Sequence, residues 1–358
     1  MSRIFNFSAG PATMPEEVLV EAQENMVDYQ GCGMSLMEVS HRGVEYAAVH
    51  EEVKANIREL AGLSDDFSIL FMGGGASTQF ALIPMNLAGG KPMDYTSTGA
   101  WASKAIAEAK LQGDVNIVVD TTGASPSCMP VASEVKATDD AAYLHVTSNE
   151  TIGGIQWKDF PKTDAPLIVD MSSDIFSRPL NMDNLGMIYA GAQKNLGPAG
   201  VTLVMIRKDL AERVSDKVPK IMRYKSHIAK DSLLNTPPSF PIYILMLTTR
   251  WILKNGGLAA MAKHNEAKAK ILYDAIDSSD FYSGTAAVAS RSLMNVTYRL
   301  PNEELEAKFI KAAALQDLKG LKGHRDVGGI RASIYNAFPV AGVESLVAFM
   351  KEFERTNG

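Results

Sequence analysis

Six short apolar runs constrain this chain more than any other feature of its sequence. They are FSILFM at Phe67–Met72, VNIVV at Val115–Val119, YLHVT at Tyr143–Thr147, LIV at Leu167–Val169, MIYA at Met187–Ala190 and VTLVMI at Val201–Ile206. None alternates strictly between apolar and polar residues, and all are shorter than a buried helix needs. Strands of this kind belong in a parallel sheet covered on both faces. Helix-like stretches lie before and between them, at Glu45–Leu60 and Trp101–Leu111. The alternation predicts an α/β fold built on a large, doubly wound, mostly parallel sheet. Such sheets bind their ligands outside the carboxyl ends of the strands.

The pattern changes after Lys254. A helix over Pro241–Lys254 (PIYILMLTTRWILK) runs into KNGG, and glycine after the last apolar turn is a stop signal. Helices Leu258–Ile276 and Glu303–Gln316 then flank a strand at Asn295–Arg299, followed by a strand at Gly329–Ile334 and a last helix from Val343. This tail reads as a smaller α+β domain. The expected division is residues 16–255 for the large domain, and residues 256–358 with the N-terminal segment 1–15 for the small one.

Charge and cysteine content narrow the function classes. A formal charge of −6 argues against a nucleic acid or an anionic membrane as partner. Any anion must therefore be held by local arginines and helix ends. Cys32 and Cys128 are far apart, with no CxxC, so neither a disulfide framework nor a cysteine-based metal site is expected. The opening MSRIFNFSAGPATMP lacks the apolar run of a secretory signal, and no apolar stretch approaches the ~20 residues of a membrane span. A cytoplasmic setting is the expectation.

Three features point to the chemistry. The first is FMGGGASTQF at Phe71–Phe80, where a strand meets three glycines and Ala76, Ser77 and Thr78 open a helix. Free N–H groups and the macrodipole at such a helix start favour a phosphate, although a plain tight turn has the same letters. The stretch is not a dinucleotide fingerprint, since Thr78 stands where the third glycine would be, nor a nucleophile elbow, since Gln79 follows Thr78. The second is Asp170 in LIVDMSSDIF, at the carboxyl end of a strand. A carboxylate there needs a cationic or hydrogen-bonding partner; a turn cap would supply one, and so would a pyridine nitrogen kept protonated. The third is Lys194 in YAGAQKNLGPAG, 24 residues beyond Asp170 with one strand between them. That spacing puts both side chains at the ends of neighbouring strands. A lysine there can form a Schiff base with pyridoxal phosphate and then shuttle the substrate's α-proton. Trp101 in STGAWASKA could stack on the pyridine ring or simply pack in the core, and Thr151 in SNETIGG could meet the ring oxygen or serve a turn.

These motifs have a common bearer. Together with FNFSAGPATMP, SLMEVSHRG, TSNETIGGIQW, NTPPSFPIY and KGHRDVGGIRASIYNA, they make the chain resemble the phosphoserine aminotransferase family over nearly its whole length. That family has the fold-type I, class V architecture of pyridoxal-phosphate enzymes. The resemblance implies that Lys194 carries the Schiff base, Asp170 pairs with the pyridine nitrogen, Trp101 stacks on the ring and Thr151 touches its oxygen substituent. It implies further that Ala76, Ser77 and Gln193 hold the cofactor phosphate. Asn235 and Thr236 would reach it from a second subunit, which makes the enzyme a homodimer.

The substrate implied is O-phospho-L-serine, whose amino group passes to 2-oxoglutarate in a reversible ping-pong exchange that yields 3-phosphohydroxypyruvate and L-glutamate in serine biosynthesis. The resemblance assigns Arg331 to the α-carboxylate, and His41, Arg42, His324 and Arg325 to the phosphate or the distal carboxylate of glutamate, with Ser8 also at the substrate. Arginine forks suit both anions. One departure stands out: some family members carry arginine where this chain has Ser77, so phosphate recognition here rests on the other side chains. Some bacterial members also accept 4-phosphohydroxy-L-threonine in making pyridoxal phosphate, a role these residues do not decide. The alternative is another class V enzyme, such as an alanine–glyoxylate or serine–pyruvate aminotransferase, against which the two His-Arg pairs argue. A cysteine desulfurase would need a mobile catalytic cysteine that neither Cys32 nor Cys128 resembles.

Overall fold

The computed structural model describes residues 3–325 and 327–358. In chain order its strands are β1 (Phe5–Asn6), β2 (Phe67–Met72), β3 (Met93–Ser97), β4 (Val115–Asp120), β5 (Leu144–Thr147), β6 (Asn149–Glu150), β7 (Ile155–Gln156), β8 (Leu167–Asp170), β9 (Leu185–Gly191), β10 (Thr202–Arg207), β11 (Ser283–Gly284), β12 (Asn295–Arg299), β13 (Leu318–Lys319) and β14 (Ile330–Ser333). The helices are α1 (Glu16–Glu24), α2 (Val44–Ala61), α3 (Gly75–Leu87), α4 (Ala100–Ala109), α5 (Lys208–Ala211), α6 (Tyr224–Ile228), α7 (Ser239–Lys254), α8 (Gly257–Asp277), α9 (Glu303–Leu315) and α10 (Val340–Asn357).

Seven strands form the main sheet in the order β2-β10-β9-β8-β5-β3-β4. Every pairing from β9 to β4 is parallel, whereas β10 runs antiparallel to both β2 and β9. The direction of β10 departs from the parallel series read in the sequence. The cause is the connection from Gly191 to Thr202, which is too short for the crossover of a dozen or more residues that a parallel neighbour demands. The chain therefore turns straight back, with Ala192 N donating to Val201 O at 3.1 Å, and the turn carries Lys194 at the carboxyl edge of β9.

Strands β5, β8 and β9 are buried along their whole length, as their unbroken apolar runs require. The expectation fails for Val115–Val119: β4 is the edge strand, and Ile117 is 45% exposed. Helices α3 and α4 cover one face of the sheet, where Phe80, Ile83 and Ile106 meet Tyr95, Ile168 and Tyr189. Helices α2 and α7 cover the other, where Val53 and Leu245 meet Val146, Val169 and Ile188. Helix α7 starts two residues before the expected Pro241, whose missing N–H costs nothing in a first turn.

A second apolar core lies around the antiparallel sheet β11-β12-β14, where Tyr298, Phe309, Phe349 and Phe353 pack edge to face. Strand β1 pairs with β13 and brings Phe7 into this core. The Asn302 side chain accepts from Leu305 N at 2.9 Å and starts α9. Helix α10 begins at Val340 rather than Val343 because Gly342 fits into its first turn, where a Cβ would lie 2.7 Å from both Phe5 and Phe338.

The two cores meet through the turn between β6 and β7. Gly154 has φ +67°, and a Cβ there would stand 2.9 Å from Asn295 O and 3.0 Å from Thr297 Cγ2 of β12. Gly154→Ala forces a left-handed alanine into that contact and is expected to cost about 1–3 kcal/mol. A clear fall in Tm on thermal denaturation checks this; an unchanged Tm would show that the turn can rearrange freely.

Candidate active site

The carboxyl edge of the parallel strands gathers side chains from five separate loops. Helix α3 opens at Gly75 behind Gly74, and their φ values of +69° and +87° are ones that only glycine adopts without strain. A Cβ on Gly74 would lie 2.8 Å from Thr78 Cβ, so the tight approach of the first turn also demands glycine. Gly75, Ala76 and Ser77 then line a cavity of about 100 Å³ with Trp101, Thr151, Asp170, Gln193 and Lys194. The structure thus brings seven of the sequence-predicted residues into one place.

Lys194 Nζ donates to Thr151 Oγ1 at 2.8 Å and lies 5.2 Å from the centre of the Trp101 ring. Burial pulls the amine down to about 8, and Arg331 acts in the same direction; Asp170, Glu150 and Asp174 oppose them. Gly10 approaches closely enough that a Cβ would stand 3.3 Å from Lys194 Cγ. The segment after β1 therefore forms a wall of the lysine's slot.

Asp170 ends β8 and is 4% exposed. Its Oδ1 accepts from Ser172 N at 2.9 Å. Burial raises its carboxyl, which the Ser172 hydrogen bonds and Lys194 counteract. Asp174 acts on it electrostatically and is fully buried, accepting from Ser148 Oγ and from Gln156 Nε2, the latter at 2.9 Å.

Arg331 projects from β14, is half-buried, and its Nη1 stands 3.5 Å from Thr151 O. Together with His324 it lines a neighbouring cavity of about 70 Å³. The His324 carbonyl accepts from Gly328 N at 2.8 Å. Arg325 follows in the turn after β13 and lines neither cavity. Ser8 sits where Gly320, φ +83°, leaves room, since a Cβ there would lie 2.6 Å from Ser8 Oγ. His41 and Arg42 precede α2 and do not line either cavity within this chain. Asn235 and Thr236 are exposed; Asn235 borders a different cavity beside Gly73 and Pro237.

Two groups escaped the sequence reading. Glu150, 1% exposed, accepts from Trp101 N at 3.1 Å and Ala102 N at 2.9 Å, and burial pushes it up to about 7. Its signal was present in SNET, an acid next to Thr151 in an otherwise neutral stretch. Behind Asp170, His145 Nε2 and Tyr189 OH are 2.9 Å apart, and Tyr95 stacks on the imidazole at 4.8 Å. Burial draws His145 down to about 3, which keeps it neutral. A histidine inside YLHVT was the visible cue.

The model of the family described as Aminotransferase class-V matches residues 4–346. The chain belongs to the class-V aminotransferases. A phosphoserine aminotransferase of Niallia circulans is 52% identical over 99% of both chains. A solved phosphoserine aminotransferase from Bacillus circulans subsp. alkalophilus superposes with a TM-score of 0.97 at 51% identity, covering 99% of each chain. The pyridoxal-phosphate-bound enzyme of Trichomonas vaginalis superposes with a TM-score of 0.94 at 42% identity, over 98% of this chain and 100% of its own. Class-V membership makes this chain an aminotransferase of fold type I.

The lowered lysine has a measurable consequence. In cofactor-free protein, acylation of Lys194 by acetic anhydride, read by mass spectrometry, is expected to rise with a midpoint near pH 8. In the unfolded chain the midpoint moves to about 10.4. The folded value is the lower one, so the charged amine costs stability below about pH 8, and the penalty fades as pH rises toward the unfolded value. Identical midpoints in the two states would contradict the burial of this amine.

Proposed function

We infer that this class-V aminotransferase moves the amino group between O-phospho-L-serine and 2-oxoglutarate, giving 3-phosphohydroxypyruvate and L-glutamate, with pyridoxal phosphate as cofactor. The observation that carries the reading is full-length identity near half with phosphoserine aminotransferases, combined with an amine, a strand-end carboxylate and a glycine-opened helix around one cavity.

The residues present fit the cofactor. The buried Asp170 carboxylate needs a cation, which a protonated pyridine nitrogen provides. Trp101 Nε1 and Thr147 Oγ1 are buried in this region with no hydrogen-bond partner among the described residues, as expected around a site shaped for a polar ligand. The α3 start, with Ala76, Ser77 and nearby Gln193, offers N–H groups to a phosphate. Asn235 and Thr236 are assigned to the same phosphate from a second subunit, which accounts for their position outside this chain's cavity. A homodimer in the cytoplasm is therefore part of the proposal.

When bound, pyridoxal phosphate supplies an aldehyde that takes up and returns the amino group, and a ring that spreads the electron pair left on the substrate's α-carbon. Lys194 Nζ would take the proton from the α-carbon of the amino donor and, in the second half-reaction, would deliver a proton to the α-carbon of the acceptor. A value near 8 leaves a useful share of neutral amine at physiological pH. Thr151 Oγ1 orients the amine. With the cofactor bound, Asp170 would keep a proton on the ring nitrogen, and Trp101 would cover the ring face. Arg331 takes the α-carboxylate of either amino acid. Ser8, His41, Arg42, His324 and Arg325 complete the recognition of the second anion, and Ser77 leaves that task to them.

The two cores are proposed as the domains of this enzyme, residues 16–255 and residues 256–358 with 1–15. The β1–β13 pairing supports assigning the N-terminal segment to the smaller one.

Initial-rate kinetics with O-phospho-L-serine and 2-oxoglutarate test the reading. One site serving both half-reactions in turn produces parallel double-reciprocal lines; intersecting lines would overturn it. Arg331→Ala is expected to lower kcat/KM for phosphoserine and for 2-oxoglutarate alike by roughly 10–100-fold, the loss of a charge-assisted pair. An effect on one substrate alone would remove Arg331 from the shared carboxylate site.

A further inference from the structure

Glu150 has no part in the reaction just described, yet it is as deeply placed as any group in the site. The helix that carries Trp101, α4, starts after Gly99 and has no side-chain cap from its own N-cap residue. A carboxylate from 48 residues further along supplies one: Glu150 Oε1 accepts from Ala102 N at 2.9 Å and Oε2 from Trp101 N at 3.1 Å. Two of the N–H groups that every helix start leaves unpaired are satisfied in this way, by an anion at the positive end of the helix dipole.

The backbone makes room for this contact. Gly99 is extended, with φ 170° and ψ −164°, a conformation open to any residue. What excludes a side chain is Glu150, since a Cβ on Gly99 would lie 2.6 Å from its Cδ and 2.7 Å from its Oε2. Charged groups face the carboxylate from two other elements, Asp170 from the end of β8 and Lys194 from the turn after β9. The indole held by this turn has two amines near its centre, Lys104 Nζ at 4.3 Å and Lys194 Nζ at 5.2 Å.

We propose that Glu150 is a positioning residue: its carboxylate, seated in the slot left by Gly99, pins the first turn of α4 and so fixes the Trp101 indole over the Lys194 cavity. The proposal rests on the cofactor reading above for its functional meaning, and on the hydrogen bonds alone for its structural one. Glutamine at this position can accept from one amide but turns its own N–H₂ toward the other. Alanine at position 99 keeps the charge and displaces the carboxylate sterically.

Amide hydrogen exchange of the cofactor-free protein, read by mass spectrometry on peptides spanning Trp101 and Ala102, tests the clamp directly. Glu150→Gln and Gly99→Ala are each expected to speed exchange there roughly tenfold, while α9 keeps its protection. In the loaded protein both variants weaken pyridoxal phosphate binding by about the same factor and reduce the visible circular dichroism of the bound cofactor. A carboxylate with a merely structural role would leave that dichroism alone. The double variant adds little to either single one, because both break the same contact. If Glu150→Gln unfolds and α9 loses protection too, Gly99→Ala decides the case. Unchanged protection at Trp101 and Ala102 overturns the clamp. If the parent protein takes up no pyridoxal phosphate, the cofactor reading fails, and the exchange data still decide the clamp by themselves.

Discussion

A lysine amine held among buried carboxylates at one edge of a sheet is the constraint that the surrounding structure satisfies. Lys194 faces Asp170, Glu150 and Asp174, none more than 4% exposed. Leaving any of these charges unpaired in such a place costs several kcal/mol, so each has dedicated partners. Ser172 serves Asp170, Ser148 and Gln156 serve Asp174, the α4 amides serve Glu150, and Thr151 serves the lysine. The network is polar throughout, and it sits where five strand-to-loop junctions converge.

Convergence follows from topology. Parallel strands place all their outgoing loops on one edge, so the glycine turn after β2, the α4 start after β3, the β6–β7 turn after β5 and the end of β8 open onto the same space. The reversed strand β10 adds the last piece, because the short return from β9 keeps Lys194 close to the edge. Arg331 arrives from the other sheet and reaches the Thr151 carbonyl, so the second core contributes to the same region. Asn295 and Asn149 share a buried hydrogen bond of 2.8 Å across the same boundary.

Much of this was legible in the letters. The six apolar runs marked strands of the main sheet, and glycines beside Ala76–Ser77, Asp170 after LIV and Lys194 among small residues marked stretches that come to line one cavity. What escaped depends on pairing partners. VNIVV reads as a buried strand, and only its place at the sheet edge leaves Ile117 exposed. The direction of β10 lies in the length of a loop, not in the strand's own residues. Glu150 and His145 are single polar letters whose meaning comes from the residues folded against them, the α4 amides and Tyr189. His41, Arg42, Asn235 and Thr236 come from a resemblance, and one chain does not bring them to Lys194.

The most direct measurement follows the visible absorbance band of the pyridoxal-phosphate-loaded protein as amino acids are added without an acceptor. O-phospho-L-serine should bleach the band at low concentration, while L-serine and L-alanine leave it nearly unchanged. Equal bleaching by serine or alanine would contradict a site built around Lys194 that selects a doubly anionic amino donor.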